Sequence, residues 1–433
     1  MKFKKYSKAI WCGASLCMLI ATHVSAQMQD TLAMHENKGL LWSNLFGDYT
    51  YKFKADTVAN GRGGSNQYSK VPADSKFFQL RRFYLGYDYT FNAKYSAEFI
   101  LAAEDYYYPG SLGNQSSTGD VLGDNKFAPY LKIADIKLKQ VLKGTDMVLG
   151  VQATPTFALG SEQVWAYRSI ERTITDIRRT PSSDLGVSLI GKYGTTTKFG
   201  YHLMMGNGTG AKAANSNYPC FYANVWTKLF QDKLYVEFYQ DYKRLDWDNY
   251  SNEDSTAYHH DRRMSKLFVS WSEEKFTVGA ELFYNVLMGD LQAYEVSTGS
   301  TISHYLSTKA FGASFFVRGR IIKNKLGYFA RYDSYNPGLN LSAAYNDNRI
   351  SFYSVLPNSY DPTTKEQFIT FGLDYAISRN IHIMPNIWMN TYECNLPKDK
   401  LYLNDKASAT KGTDAAFRFT LYYLLGKEDK LRF

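Results

Sequence analysis

Stretches of nine to fifteen residues in this chain have two faces that call for different solvents. From Phe276 to Met288 the even positions Phe276, Val278, Ala280, Leu282, Tyr284 and Val286 are apolar or aromatic, opposed by Thr277, Gly279, Glu281 and Asn285, with Phe283 as an exception. Leu326, Tyr328, Ala330 and Tyr332 alternate in the same way with Gly327, Phe329, Arg331 and Asp333, and Phe417, Phe419, Leu421 and Tyr423 with Arg418 and Thr420. A period of two is that of a β-strand, and here one face suits hydrocarbon while the other suits water.

Sixteen such segments are expected, at 46–54, 77–91, 94–104, 127–139, 146–155, 183–193, 196–207, 219–230, 233–244, 262–273, 275–288, 308–320, 325–336, 366–377, 380–393 and 413–424. The connections between them alternate in length, one set of one to six residues and the other of eleven to twenty-nine. A soluble β-sandwich mixes its loop lengths. Short turns at one end and long loops at the other predict an all-β fold, an antiparallel transmembrane β-barrel with short periplasmic turns and long extracellular loops. Residues 349–356 also alternate, and an isolated extra strand would spoil the even count, so a loop hairpin or strand extension is expected there.

Composition agrees with strands. Tyr, Phe and Trp number 36, 27 and 7 against 11 Pro, and rings fit a pleated surface whereas proline removes a ladder donor. Lys2, Lys4, Lys5 and Lys8, the apolar run Ala9 to Ala21 and the small residues Val24-Ser25-Ala26 read as a cleaved signal peptide over 1–26. After it comes an expected N-terminal periplasmic segment, 27–45, and then the barrel, 46–433. No later apolar run approaches the ~20 residues of a spanning helix.

Removing the four signal lysines from 50 Lys and Arg leaves 46 against 41 Asp and Glu. An excess so mild and so interleaved excludes nucleic acid as a partner. Cys220 and Cys394 remain after cleavage, and two cysteines alone leave a disulfide open as one of two readings.

The third long loop, 156–182, is the most informative segment. Arg168, Glu171, Arg172, Asp176 and Arg179 recur at spacings of three and four, so a short helical turn would stack them on one side. With Arg178 and Glu162 the loop sums to +1, and folded inward it would narrow a pore. His259-His260-Asp261 is the one histidine cluster; it lies in an expected loop with no nucleophile attached, so no catalytic residue, cofactor or metal is expected. An adhesin or assembly barrel that uses its long loops is the alternative to a channel, and a barrel enzyme is a further one.

Four pieces in order resemble the phosphate-selective porin O and P family of Gram-negative outer membranes. They are Gly150-Val151-Gln152-Ala153-Thr154-Pro155 leading to Glu162 and Tyr167-Arg168-Ser169-Ile170-Glu171-Arg172; Ser183-Asp184-Leu185-Gly186-Val187; Met205-Gly206-Asn207-Gly208-Thr209-Gly210; and Tyr328-Phe329-Ala330-Arg331-Tyr332-Asp333 before Asn336-Pro337. The resemblance implies a sixteen-stranded homotrimeric porin in outer-membrane lipid, with an inward third loop, passing small hydrophilic solutes and preferring phosphate-type oxyanions. It makes Arg168, Arg172, Arg178 and Arg179, among Glu162, Glu171 and Asp176, the expected constriction and anion path. Lys52, Arg82, Lys192, Lys228, Lys243, Arg318 and Arg331 are the expected lumen-facing basic residues. Opposite them stand Asp48, Asp88, Glu98, Glu237, Asp241, Glu281, Asp333 and Asp374, so a structural web of wall salt bridges is the competing reading.

Overall fold

The computed structural model describes residues 38–56, 68, 71–104, 129–156, 160–178, 181–195, 198–212, 218–248, 258–295, 304–341, 348–352, 363–394 and 411–427. The expected signal peptide and Arg179 lie outside them. The first eight strands are β1 (Lys38–Lys54), β2 (Ser75–Thr90), β3 (Tyr95–Glu104), β4 (Tyr130–Leu142), β5 (Thr145–Ala153), β6 (Ser183–Tyr193), β7 (Lys198–Gly206) and β8 (Cys220–Leu229). Then follow β9 (Leu234–Asp248), β10 (Tyr258–Ser272), β11 (Phe276–Glu295), β12 (His304–Ile322), β13 (Leu326–Asn336), β14 (Asn348–Phe352), β15 (Thr364–Ser378), β16 (Ile381–Cys394) and β17 (Gly412–Leu425).

Sixteen of these form one closed antiparallel sheet in chain order. β13 pairs directly with β15, and β17 returns to β1 in a register that sets Asp48 opposite Thr420. β14 lies outside the ring and pairs with Leu291–Glu295 at the outer end of β11, so the described part of the alternating segment, up to Phe352, extends a wall instead of adding a stave. Closure leaves no edge with unpaired backbone groups, the condition for a sheet in hydrocarbon. No helix among the described residues is long and apolar enough to cross a membrane.

Alternation is visible strand by strand. In β13 Gly327, Phe329, Arg331, Asp333 and Tyr335 are buried, and the residues between them are not. The exposed set is apolar, with Phe78, Leu149, Phe199, Phe221, Phe238, Phe371 and Phe419 among it, whereas Asp48, Lys52, Glu237, Lys266, Asp374 and Arg418 are buried. This is a soluble core turned inside out. Phe283, the exception in its segment, faces inward and packs against Tyr335 at 6.0 Å.

Some expectations need correction. β1 starts at Lys38, so the last eight residues assigned to the N-terminal segment 27–45 belong to a strand. His259-His260-Asp261 opens β10 instead of lying in a loop, and Asp261 receives Arg244 Nε at 3.1 Å and Tyr242 Oη at 2.9 Å. Of the two readings left open for Cys220 and Cys394, the unpaired one holds, since both are free thiols. β2 carries a bulge: Phe46 pairs with Arg82 and Gly47 with Leu80, leaving Arg81 as the extra residue, and both Arg81 and Arg82 are buried on the lumen side.

Candidate pore constriction

The loop between β5 and β6, here L3, enters the lumen and is closed at its root, where Thr154 donates to the Ser182 carbonyl at 3.2 Å. It contains two short helices, α1 (Ser161–Trp165) and α2 (Ile174–Arg178). Arg168, Glu171 and Arg172 lie between them in irregular chain. A single turn stands there, with the Tyr167 carbonyl accepting from Ile170 N at 2.8 Å and Glu171 N at 3.1 Å, and Ala166 (φ +62°) separates it from α1.

An aromatic wall seats the loop. Trp165 is fully buried 5.2 Å from Phe316, and Tyr167 lies 4.6 Å from Phe329, in a cluster that includes Ile170, Phe268 and Tyr235. These rings lie inside the barrel and give L3 an apolar seat.

Cations of the wall then hold the loop by its backbone. Arg331 Nη1 donates to the Arg172 carbonyl at 2.6 Å, and Arg318 Nε to the Val164 carbonyl at 2.6 Å. Arg418 Nη2 donates to the Ile170 carbonyl at 3.1 Å, Arg81 reaches the Ser169 carbonyl, and Lys266 Nζ meets the Thr156 carbonyl at 2.5 Å. Charge-assisted bonds of this kind contribute about 1.5–3 kcal/mol each. Wall carboxylates complete the hold. Glu281 accepts from Thr175 N at 3.1 Å and Oγ1 at 2.6 Å, and Glu366 receives both Nη atoms of Arg178 at 2.7 and 2.8 Å.

Within L3, Arg168 bridges Glu162 at 3.2 Å and Asp176 at 2.6 Å, and Glu162 also accepts Thr173 N at 3.0 Å. Trp388 donates its indole N–H to Glu171 at 3.1 Å. Burial raises the Glu171 carboxyl, but Arg172, Arg81 and Arg418 outweigh it and hold the group below the ordinary range. Burial likewise acts on Asp176, and Arg168, Arg172 and Lys132 reverse it.

The expected lumen cations divide by contact. Lys52 pairs with Asp414 at 2.6 Å and holds the Tyr68 carbonyl of the first long loop at 2.6 Å, while Lys243 holds Asn207 and Tyr218 carbonyls of the fourth at 2.7 and 2.6 Å. Arg318 and Arg331 serve L3 as described. Arg82 lies over the Phe46 and Tyr84 rings at 5.1 and 4.9 Å, Lys228 lies over Tyr235 at 5.8 Å, and Lys192 is exposed near the periplasmic end of β6. Sequence reasoning missed Arg81, Lys132 and Lys266, and set Arg418 on the water-facing side of its strand without assigning it to L3. Alternation alone could have found Lys266; the bulge hid Arg81.

No protein-family model matches the sequence, and no curated protein sequence matches it. Among solved structures the fold is similar to the outer-membrane channel DcaP of Acinetobacter baumannii (TM-score 0.54, 12% identity, covering 91% of this chain and 99% of that one). It is also similar to an anion-selective porin from Comamonas acidovorans (0.51, 11%, 90% and 100%) and to a loop L8 deletion mutant of OmpT, an outer membrane protein of Vibrio cholerae (0.50, 10%, 90% and 100%). At these identities the likeness is one of fold. Closed sheet, apolar exterior and polar interior together describe an outer-membrane β-barrel.

Proposed function

We propose that the protein is a porin in the outer membrane of a Gram-negative bacterium, a passive channel for small hydrophilic solutes with a preference for anions. The observation that carries this reading is L3, folded into the lumen and fastened to the wall by cations that bind its backbone. A loop held this way sets a fixed bore. The contacts named above run from L3 mainly to β1–β2 and β9–β17, and we infer that solutes pass between L3 and the arc β3–β7.

Charge along that path supports an anion preference. Glu162, Glu171 and Asp176 are engaged by L3 itself and by Trp388, so they offer little to a passing cation. Lys132 on β4 belongs to that arc and donates to Ser182 Oγ at the root of L3 at 2.8 Å, and Arg82 on the adjoining β2 shares the Tyr84 ring with it. A planar guanidinium offers two donors to an oxyanion, which fits the phosphate-type solutes of the resembling family. Trimeric assembly follows that same resemblance.

Planar-bilayer recording in a salt gradient tests the proposal. Stepwise conductance with a reversal potential on the anion side is expected, and replacing Arg168, Arg172 and Arg179 together by Ala should move that potential towards cations. Absence of conductance steps from correctly assembled protein would overturn the channel. A reversal potential unchanged in the triple variant would overturn the anion path and leave the arginines as loop fasteners.

A further inference from the structure

β17 ends at Leu425, but the chain does not leave the barrel there. Gly426 takes φ +76°, a conformation glycine adopts without strain, and a Cβ at this position would overlap the Leu41 carbonyl oxygen. The turn carries the next residue over β1 and against lumen-facing side chains near the periplasmic end. Lys427 Nζ stands 4.0 Å from the centroid of the Trp42 ring and 2.6 Å from Asp88 Oδ2. Trp42 donates its indole N–H to the other oxygen of Asp88 at 2.9 Å, and Asn380 holds the Lys427 carbonyl at 3.0 Å. Ring face and carboxylate together make a fitted seat for an ammonium group.

Asp88 heads a row of like charges. It stands directly opposite Glu98 on β3, and Glu98 directly opposite Asp135 on β4. Their neighbours Tyr87, Phe99 and Ile136 are exposed on the outer face, so the three carboxylates share the lumen face. Like charges directly opposed across neighbouring strands repel. Lys137, two residues along β4 from Asp135, is the wall's own counter-charge. Lys427 is brought in from the tail. Its side chain is 32% exposed and that of Asp88 35%, so passing ions feel both.

We propose that Lys427 is a tethered counter-ion that sets the ionic preference of the periplasmic mouth. The proposal rests on the porin reading above. With Lys427 seated, the head of the acidic row is neutralised. Without it, three carboxylates face the lumen and their field concentrates cations at one end of the pore.

The test is Lys427→Gln in the full chain, recorded in planar bilayers under a salt gradient. The cation-over-anion permeability ratio should rise by about two- to threefold. Asp88→Asn should move the ratio in the opposite direction, and Lys427→Arg should preserve it. Lys323→Gln removes the same charge from the β12–β13 turn and should leave the ratio unchanged. If Lys427→Gln does not assemble, Asp88→Asn decides alone: a shift towards anions supports the tether and no shift overturns it. Wild-type currents whose selectivity neither variant alters would overturn this inference and leave the porin standing. Absence of current from the wild type would overturn both.

Discussion

Arg178 grips Glu366 with both terminal nitrogens, at 2.7 and 2.8 Å, and so ties the end of α2 in L3 to the barrel wall 188 residues later. Glu366 also receives Asn390 Nδ2 at 2.6 Å, and the guanidinium covers the Tyr335 ring at 4.4 Å. The pair is buried, at 11% and 5% exposure, so removing one partner strands the other charge away from water. Arg178→Ala should lower stability by about 3 kcal/mol. A double-mutant cycle with Glu366→Gln, read by unfolding of the barrel in detergent, should find the two losses far from additive.

Arg81 and Arg82 are adjacent in sequence, and their variants should behave differently. Arg81 reaches the Ser169 carbonyl and pairs with Asp48, so Arg81→Gln should loosen L3 and raise single-channel conductance. Arg82 lies on aromatic rings of the wall, so Arg82→Gln should shift the reversal potential towards cations with conductance nearly unchanged. Identical behaviour of the two in bilayer recordings would remove the distinction.

Acid should leave L3 docked longer than ordinary carboxylates would allow. Glu171 and Asp176 are held below their usual values in the folded protein, so their contribution is present in full above the unfolded value, about 4. It is lost only as pH falls through the lower folded values. Conductance is therefore expected to stay constant from pH 7 to about 4 and to change below it. Arg172→Ala withdraws a charge that stabilises both carboxylates and should move that change to higher pH.

Gly160 opens α1 against the wall. A Cβ there would overlap the Glu237 carboxylate, which is fully buried in its pair with Lys266 at 2.9 Å. Gly160→Ala should push L3 off β9 at a cost of about 1–3 kcal/mol and increase conductance, as measured by unfolding and by single-channel recording. An unchanged bore would mean that α1 does not set it.

The barrel was legible because a membrane imposes a local rule. Each strand must turn one face to hydrocarbon and the other to water, so alternation over ten residues reports the fold without knowledge of any distant contact. All sixteen staves, the alternation of short and long connections and the inward direction of Arg331, Lys52 and Lys243 follow from it. What those cations bind did not, because partners such as Arg331 and Arg172 lie 159 residues apart and meet only when the sheet closes. Nor did spacings of three and four give the pairs within L3, where Arg168 reaches back to Glu162 and forward to Asp176 across two short helices and a single turn. Arg81 escaped because one bulge shifts the period by a residue, and Lys427 because only the turn at Gly426 brings the tail across β1. Alternation determined the barrel and its faces; tertiary closure decided which charges hold the loops and which face the path.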